Sequence, residues 1–274
     1  MVKDVTIIKP KKSFTLADLK EVWAYRQLFY TFAWRDVKVK YKQTVIGVAW
    51  AVIQPFVMMV VFSVVFGRIA GISSEGIPYP IFSYSGLLFW NYFSNSLGAM
   101  SGSLVGSQSI LQKIYFPRLI LPFSSTLVNL VDFFFAFLIF IGLMAYYHFT
   151  PSFLGILLLL PALILTILAF TGLGLLLAAV NVKYRDVRYA LPFFLQILIF
   201  VTPVIYPTSI LGKYQWLWYF NPMTGIIEMV RASLLLANPV RWDLVGASFL
   251  ISIILCAIGI SYFNSTEKYF ADIV

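Results

Sequence analysis

The chain has 274 residues, of which 61% are hydrophobic, 18% are aromatic and only 11% are charged. This much apolar surface excludes a single soluble core and indicates a membrane protein with several spans. The net charge of +9 does not indicate a nucleic-acid partner, because the basic residues are spread between hydrophobic segments and are not gathered on a polar domain.

The first predicted element is an amphipathic helix over residues 14–34. Thr15 and Asp18 have the spacing of a capping box, and apolar residues then recur at helical spacing. Such a helix is expected to lie in the membrane interface. The alternation of apolar and basic residues at 37–42 is equally typical of a short strand. Residues 1–47 lack the early apolar core of a signal peptide, so we expect them to form a cytoplasmic N-terminal segment.

A cluster of basic residues stands directly before the first long apolar run. Its members are Arg35, Lys38, Lys40 and Lys42. We expect these side chains to contact anionic lipid headgroups and to fix the orientation of the span that follows.

Six apolar segments are long enough to cross the bilayer, since about 30 Å of hydrocarbon takes roughly 20 residues. They are residues 48–67, 81–103, 119–146, 152–180, 189–206 and 244–263. The second is rich in Ser, Gly and Asn and is expected to pack against other helices or to line a cavity. The fold prediction is an all-α integral membrane domain over residues 48–263, with a cytoplasmic tail over 264–274.

The third span carries the only charged residue inside a predicted span, Asp132. An unpaired carboxylate in the middle of the bilayer is costly, so its helix face, shared with Asn129, is expected to point into the bundle or across a dimer interface. Asp132 is a candidate channel residue, and a purely structural role is equally consistent with its position.

The Lys and Arg residues fix the predicted orientation. With both termini in the cytoplasm, 16 of the 20 lie on the cytoplasmic side of the six spans. This excess obeys the positive-inside rule and predicts a multi-pass protein with cytoplasmic termini.

Two further segments are expected to form short helices. Residues 106–118 have a start signal at Ser107 and a stop at Pro117, which predicts a short amphipathic helix on the cytoplasmic side. Residues 207–240 are too apolar for an ordinary loop, yet three prolines divide them into pieces too short to cross. We predict short re-entrant helices there, sheltered by protein or by a water-filled cavity.

The re-entrant segment contains a candidate lid for the exit of a transport path. Its short helix begins at Asn221 and Pro222, and Glu228 and Arg231 follow three residues apart. This spacing predicts an ion pair on the outer face of the helix.

Several kinds of chemistry are missing from the sequence. There is no GxxxxGK[ST] phosphate-binding loop, no HExxH or GxSxG motif and no cluster of carboxylates near a membrane surface. The single cysteine, Cys256, allows no intrachain disulfide and no cysteine metal site, and it is expected to be buried. We therefore expect no catalytic residue, no metal and no cofactor in this chain.

Four motifs in order along the chain carry a resemblance to a known family. They are residues 34–50 with Gln54 and Pro55, residues 113–118, residues 181–187 and residues 219–222. Together they resemble the permease subunit of bacterial ABC exporters for O-antigen and related polysaccharides, in particular the Wzm-type permeases. Teichoic-acid and capsule exporters belong to the same wider family.

The resemblance implies a homodimer in the bacterial inner membrane, paired with two copies of a separate ATPase subunit that binds ATP and Mg²⁺. The cargo implied is a glycan linked to polyprenyl pyrophosphate. In that family a lateral opening is expected between the first and fifth spans, so that the lipid anchor stays in the membrane. The basic cluster would then also meet the pyrophosphate, although a simple positive-inside anchor explains it too.

Site residues follow from this comparison with the family. Candidates for the channel or lateral gate are Trp50, Gln54, Pro55, Phe89, Trp90, Tyr92 and Asp132. Aromatic rings suit the apolar faces of sugars, but these rings equally suit the core, and Gln54 equally suits helix packing. Candidates for coupling to the ATPase are Ser107, Ile110, Leu111, Lys113, Ile114 and Tyr115. The same helix could instead lie on the membrane surface.

Two alternative functions stay open from the sequence. One is an ABC permease for another lipid or a drug. The other is an integral membrane glycosyltransferase or acyltransferase, which is disfavoured because the chain has no DxD-like or paired-acid motif.

Overall fold

The fold is all-helical in a computed structural model that describes residues 16–42, 47–235, 239–267 and 270. No strand occurs within these ranges. The helices are α1 (Leu16–Ala24), α2 (Arg26–Lys42), α3 (Ala49–Phe62), α4 (Tyr79–Gly106), α5 (Gln108–Leu111), α6 (Ile120–Tyr146), α7 (Phe153–Lys183), α8 (Val187–Val201), α9 (Pro222–Leu234) and α10 (Trp242–Thr266). A π-helix over Ser63–Ile69 continues α3, and a 3₁₀ segment over Thr208–Phe220 precedes α9.

Within the described ranges, four helices are long and apolar enough to cross a membrane: Ala49–Ile69, Ile120–Tyr146, Phe153–Lys183 and Trp242–Thr266. They coincide with the first, third, fourth and sixth predicted spans. Helix α4 is long but polar, and α8 has only 15 residues. The all-α membrane class is therefore confirmed, and the count of six spans stays a prediction.

The N-terminal region differs from its prediction. Two helices meet at a turn at Tyr25, and α2 runs on to Lys42, well beyond the expected end at residue 34. The strand alternative for residues 37–42 is wrong, because α2 packs along α6 and stays helical over its whole length. The predicted helix start at residues 14 and 15 lies outside the described residues.

Helix α4 lies at the centre of the bundle, packed between α6 and α7. Several of its serine hydroxyls donate to carbonyls one turn back: Ser85 Oγ lies 2.7 Å from the Phe82 oxygen and Ser103 Oγ lies 2.8 Å from the Met100 oxygen. The buried Ser96 hydroxyl has no hydrogen-bond partner among the described residues. The expectation that this helix packs against other helices is confirmed.

Helices α7 and α10 cross at two glycines. A Cβ atom added to Gly259 would lie 2.1 Å from the Gly172 carbonyl oxygen, so the two backbones touch directly at this point. Small residues at a membrane helix crossing allow this approach, and van der Waals contact then holds the helices together. Cys256, one turn earlier on α10, is buried as expected.

The bundle has two distinct ends. We call basal the end where α4, α7 and α10 end and α6 begins, and distal the opposite end. At the basal end Asn181 Nδ2 donates to the Ser101 oxygen over 3.0 Å. At the distal end the Tyr79 hydroxyl donates to the Ile205 oxygen over 2.5 Å, and Ser209 Oγ lies 2.7 Å from a Glu75 carboxylate oxygen.

Candidate functional site: a polar cavity in the basal half

A cavity of about 500 Å³ occupies the basal half of the bundle. The end of α2 and parts of α3, α4, α6 and α8 form its walls. Its polar lining includes Asn91, Ser94, Asn95, Ser101, Asn129 and Asp132. These groups are mostly neutral donors and acceptors of hydrogen bonds.

Asp132 lines the cavity and accepts from two side chains of α2. Lys40 Nζ forms an ion pair with its carboxylate, and the Tyr41 hydroxyl donates to the other carboxylate oxygen. Burial and the hydrogen bond to Asp132 raise the pKa of Tyr41 above its ordinary value, so this hydroxyl stays protonated and donates. The end of α2 thus brings a cation and a hydroxyl to this carboxylate, partners that the sequence did not identify.

Asn129 lies one turn before Asp132 on α6 and lines the same cavity. The shared face therefore points into the bundle, as predicted. The side chain is 7% exposed, and its amide nitrogen has no hydrogen-bond partner among the described residues. A buried amide without a partner is costly, so this nitrogen is available to a ligand that accepts a hydrogen bond.

The basic cluster before the first span does not form one patch. Arg35 pairs with Asp36 at 2.8 Å, and Lys38 lies over the ring of Trp34. Lys42 is exposed, and Lys40 is the member that lines the cavity. Contact of the cluster with lipid headgroups stays a prediction.

The cavity lies between the helices of the first and fifth predicted spans. Trp50, Gln54 and Pro55 of α3 line one side, and Arg188 and Leu191 of α8 line the other. None of the residues of α8 is buried within the described chain. The two helices thus flank an opening without being packed against each other.

The aromatic residues of α4 separate into three environments. Tyr92 lines the basal cavity. Trp90 lines a second, mainly apolar cavity of about 860 Å³ in the distal half, where Trp216 and Trp218 also lie. Phe89 is fully buried against Phe133, with ring centroids 5.2 Å apart, and lines neither of these cavities.

The distal end is held by a buried arginine. Arg231 of α9 donates to the carbonyl oxygens of Pro203 and Val204, each over 2.7 Å, and its guanidinium lies 3.6 Å from the centroid of the Phe82 ring. Glu228 is 3.8 Å away. The predicted pair therefore forms, but its predicted place on an outer face is wrong, because Arg231 is only 3% exposed and satisfies backbone carbonyls of the neighbouring turn.

The start of α9 follows its prediction. Asn221 caps the helix through its side-chain oxygen, which accepts from the Met223 amide over 2.9 Å, and Pro222 occupies the first helical position. The Asn221 amide also donates to Thr202 Oγ1 over 2.9 Å, which connects α9 to the end of α8.

The predicted coupling helix is much shorter than expected. Only the single turn α5, Gln108–Leu111, is helical between residues 107 and 118, because the chain turns at Gln112 and has no regular secondary structure from Ile114 to Pro117. Leu111 and Ser107 are buried, and Ile110 is half-buried. The predicted continuous apolar face is therefore wrong: Lys113, Ile114 and Tyr115 project outward, with Ile114 60% and Tyr115 75% exposed.

This loop adjoins the N-terminal helices at the basal end. The Tyr115 hydroxyl lies 3.4 Å from a Glu21 carboxylate oxygen on α1, and the rings of Phe116 and Phe32 are 5.7 Å apart. Residues 107–118 and helices α1 and α2 thus form one basal surface. Among the described residues, no group of His, Cys, Asp and Glu side chains is placed to hold a metal.

The sequence predicts that the second span packs against other helices or lines a cavity, and one face of α4 does line this cavity, although its individual residues are not among the site candidates except Tyr92. Asn91, Asn95, Gly98 and Gly102 of α4 all line it. Their spacing of three or four residues is that of one helix face, and this stripe is the signal in the sequence that predicts a polar wall.

Comparison with known proteins agrees with this architecture. Residues 27–235 match the family model described as ABC-2 type transporter. The chain is 28% identical over 259 residues to an O-antigen export system permease protein RfbA of Myxococcus xanthus, covering 93% of this chain and 98% of that protein. It is 25% identical to an RfbA of Klebsiella pneumoniae over 88% of this chain and 92% of that protein.

A more distant relative is the polysialic acid transport protein KpsM of Escherichia coli, 23% identical over 73% of this chain and 78% of that protein. These findings indicate a transport permease and not a membrane transferase, and permeases of this kind work with an ATPase subunit. With its four long apolar helices, the chain is a multi-pass membrane permease that belongs to the ABC-2 type transporter family.

Proposed function

We propose that this permease exports a polysaccharide linked to a polyprenyl pyrophosphate across a bacterial inner membrane, driven by a separate ATPase subunit. The observation that carries the proposal is the polar cavity between α3 and α8. Each sugar hydroxyl placed in hydrocarbon without a partner costs a few kcal/mol, so a glycan needs a polar path. The neutral amides and hydroxyls of the cavity supply such partners.

The names of the relatives support the class of cargo. Two of them are O-antigen export permeases and one is a polysialic acid transport protein, so all three move glycans. A polyprenyl anchor prefers lipid, and the gap between α3 and α8 would allow it to stay there while the sugars enter the cavity. An exporter of another lipid or of a drug needs no such row of hydroxyl partners.

In this proposal the basal end faces the cytoplasm and both termini lie there. Helices α4 and α8 complete six spans, and the 3₁₀ segment and α9 turn back at the distal side. The contacts of α9 support this arrangement, because Arg231 reaches the start of α4 and Gly225 adjoins Leu244 near the start of α10.

The basal surface of α1, α2 and residues 107–118 is the proposed contact with the ATPase. Its exposed Ile114 and Tyr115 are suited to a protein partner, and Phe116 connects the loop to Phe32 of α2. ATP and Mg²⁺ belong to that partner. The resemblance to exporter permeases also favours a homodimer with two ATPase copies, and the exposed face of α8, which has no fully buried residue, offers a surface for a second chain.

The test is deletion of the gene in its bacterial host, with complementation by the wild-type chain. We expect the deletion to remove a glycan from the cell surface and to accumulate the same glycan inside, still attached to its lipid. Surface glycans are labelled on intact cells, and the lipid fraction is analysed for sugars.

Two outcomes would contradict the proposal. Either all surface glycans stay at the wild-type level in the deletion, or the compound that accumulates contains no sugar. The second outcome would favour export of another lipid or of a drug. Complementation in cells that lack the ATPase subunit should fail, which tests whether ATP hydrolysis by that partner drives the export.

A further inference from the structure

Asp132 occupies a position where the cavity meets the N-terminal helices. Its carboxylate faces the cavity and at the same time accepts from Lys40 and Tyr41 of α2. Nine residues before Tyr41 on the same helix, Phe32 packs against Phe116 of the basal loop. A helix rises 1.5 Å per residue, so one rigid element of about 14 Å connects the cavity wall to the basal surface.

The groups around Asp132 match hydroxyl ligands better than anions. A sugar hydroxyl both donates and accepts, whereas a phosphate at neutral pH mainly accepts. Asn129, Asn91 and Asn95 offer neutral amides, and the Asp132 carboxylate repels an anion while it accepts readily from hydroxyls. Two cations also line the cavity: Lys40, whose charge is balanced by Asp132, and Arg188 of α8 on the opposite side. The Asn129 amide nitrogen, more than nine-tenths buried, has no partner within the described part of the chain.

We propose that Asp132 and Asn129 form a binding point for sugar hydroxyls, and that its occupation releases Lys40 and Tyr41, and with them α2, from α6. The inference rests on the proposed export of a glycan and adds how the permease senses that cargo. Asp132 accepts from a pair of sugar hydroxyls in place of the α2 groups, and the Asn129 amide donates to a sugar oxygen.

The exchange is physically easy because Lys40 is half-exposed. Its side chain is 44% accessible, so its ammonium group returns to water at little cost when the ion pair opens. The hydrogen bond that the Tyr41 hydroxyl loses is replaced by one to the cargo or to water. Movement of α2 then reaches residues 107–118 through the Phe32–Phe116 contact, which signals an occupied cavity to the ATPase side.

The experiment measures the distance between α2 and α6 in the complex of the permease with its ATPase in lipid nanodiscs. Spin labels are attached at Val39→Cys and Leu138→Cys, both on exposed positions, in a Cys256→Ser background. Chains that carry only one of the two labels give the distances between subunits, which are needed to identify the distance within one chain. The two probes are the polyprenyl-pyrophosphate-linked glycan extracted from the host and polyprenyl pyrophosphate without sugar.

We expect the glycan-bearing lipid to shift the distance distribution to longer values and the bare lipid to leave it unchanged. Asp132→Asn and Lys40→Gln should produce the long distance without cargo and raise cargo-independent ATP hydrolysis several-fold. Lys213→Gln is the control, because Lys213 is an exposed lysine over the Tyr214 ring at the distal end and does not line the cavity, and it should behave as wild type.

Three results would overturn the inference. The distance stays fixed although bound glycan is detected in the same sample, the bare lipid shifts the distance as much as the glycan does, or Lys213→Gln acts like Lys40→Gln. The first two leave the export proposal standing. Failure of that proposal is recognised separately, because the wild-type complex then binds no glycan-bearing lipid at all.

Discussion

The two ends of the bundle differ in the burial and in the partners of their basic side chains. At the distal end Arg231 is buried and its guanidinium satisfies backbone carbonyls on the turn after α8. At the basal end Lys40 is half-exposed and pairs with a carboxylate that faces a cavity. The first cation joins fixed backbone groups to one another, whereas the second holds a helix through a side chain that can exchange partners. We therefore expect the distal arginine to contribute more to stability than the basal lysine.

Burial explains why these interactions differ in strength. Burial lowers the pKa of Arg231 to about 10, which leaves it charged at neutral pH and dependent on its oxygen partners. Removal of one partner of a buried ion pair leaves the other uncompensated, which costs far more than opening a solvent-exposed pair.

The largest effect is expected for Arg231→Leu. This change leaves the half-buried Glu228 without its cation and the buried Pro203 and Val204 carbonyls without a donor, at a cost of about 3–5 kcal/mol. Thermal unfolding of the purified permease in detergent measures the loss. Arg241→Leu is the control: Arg241 pairs with Asp243 at the surface, so its loss should cost about 0–1 kcal/mol. If the two variants unfold at the same temperature, the buried arginine contributes no more to stability than a partly exposed one, which would contradict the proposed difference between the two ends.

A second effect concerns the packing that connects the two ends. Gly259→Ala places a methyl group against the Gly172 carbonyl, and overpacking of this kind costs about 1–3 kcal/mol. Gly246→Ala, on the same helix with open space around it, should be neutral or stabilise by up to about 1 kcal/mol. A Gly259→Ala protein that unfolds at or above the wild-type temperature would show that α7 and α10 do not need this close contact.

A smaller effect is expected for Lys40→Gln at the basal end. The pair with Asp132 is partly exposed, so its loss should lower stability by no more than about 1 kcal/mol. The same thermal unfolding experiment sharpens the comparison with Arg231→Leu directly. A loss as large as that of the distal variant would mean that the basal pair is a structural anchor and not an exchangeable contact.

The smallest effect on stability is expected for the double variant Ile114→Asp with Tyr115→Asp. Both side chains are mostly exposed, so the free energy of unfolding should change by no more than about 0.5 kcal/mol. We nevertheless expect loss of co-purification with the ATPase subunit. Leu111→Asp is the contrasting variant, since Leu111 is buried and the change should destabilise the fold. Retained co-purification by the double variant would place the contact elsewhere, with residues 181–188 as the next candidate.

Much of the fold could be predicted from the sequence, because the membrane sets the length and the apolar character of the helices that cross it. Helices α6, α7 and α10 begin and end within a few residues of their predicted spans. The cap at Asn221 and the polar character of α4 were readable for the same local reasons. Local sequence also indicated a helix at the start of the described chain, although its turn at Tyr25 carries no Gly or Pro signal.

The site could be predicted less well from the sequence, because its contacts join distant parts of the chain. Lys40 and Asp132 are 92 residues apart, and no local pattern states that α2 packs along α6. Glu228 and Arg231 show the converse problem: their spacing identified the pair, yet the burial of Arg231 depends on the turn that follows α8. Spacing predicts which side chains share a helix face, and tertiary packing decides what that face touches.

The most direct test of the account follows the glycan through the cavity. A photo-cross-linking residue replaces Gly98, which lines the cavity with open space around it, or Gly106 on the same helix, which does not line it. Cells exporting glycan are illuminated, and the purified permease is analysed for attached sugar. We predict glycan-bearing permease for position 98 and none for position 106, dependent on an active ATPase. Equal labelling at both positions, or labelling at position 106 alone, would contradict a glycan path through the basal cavity.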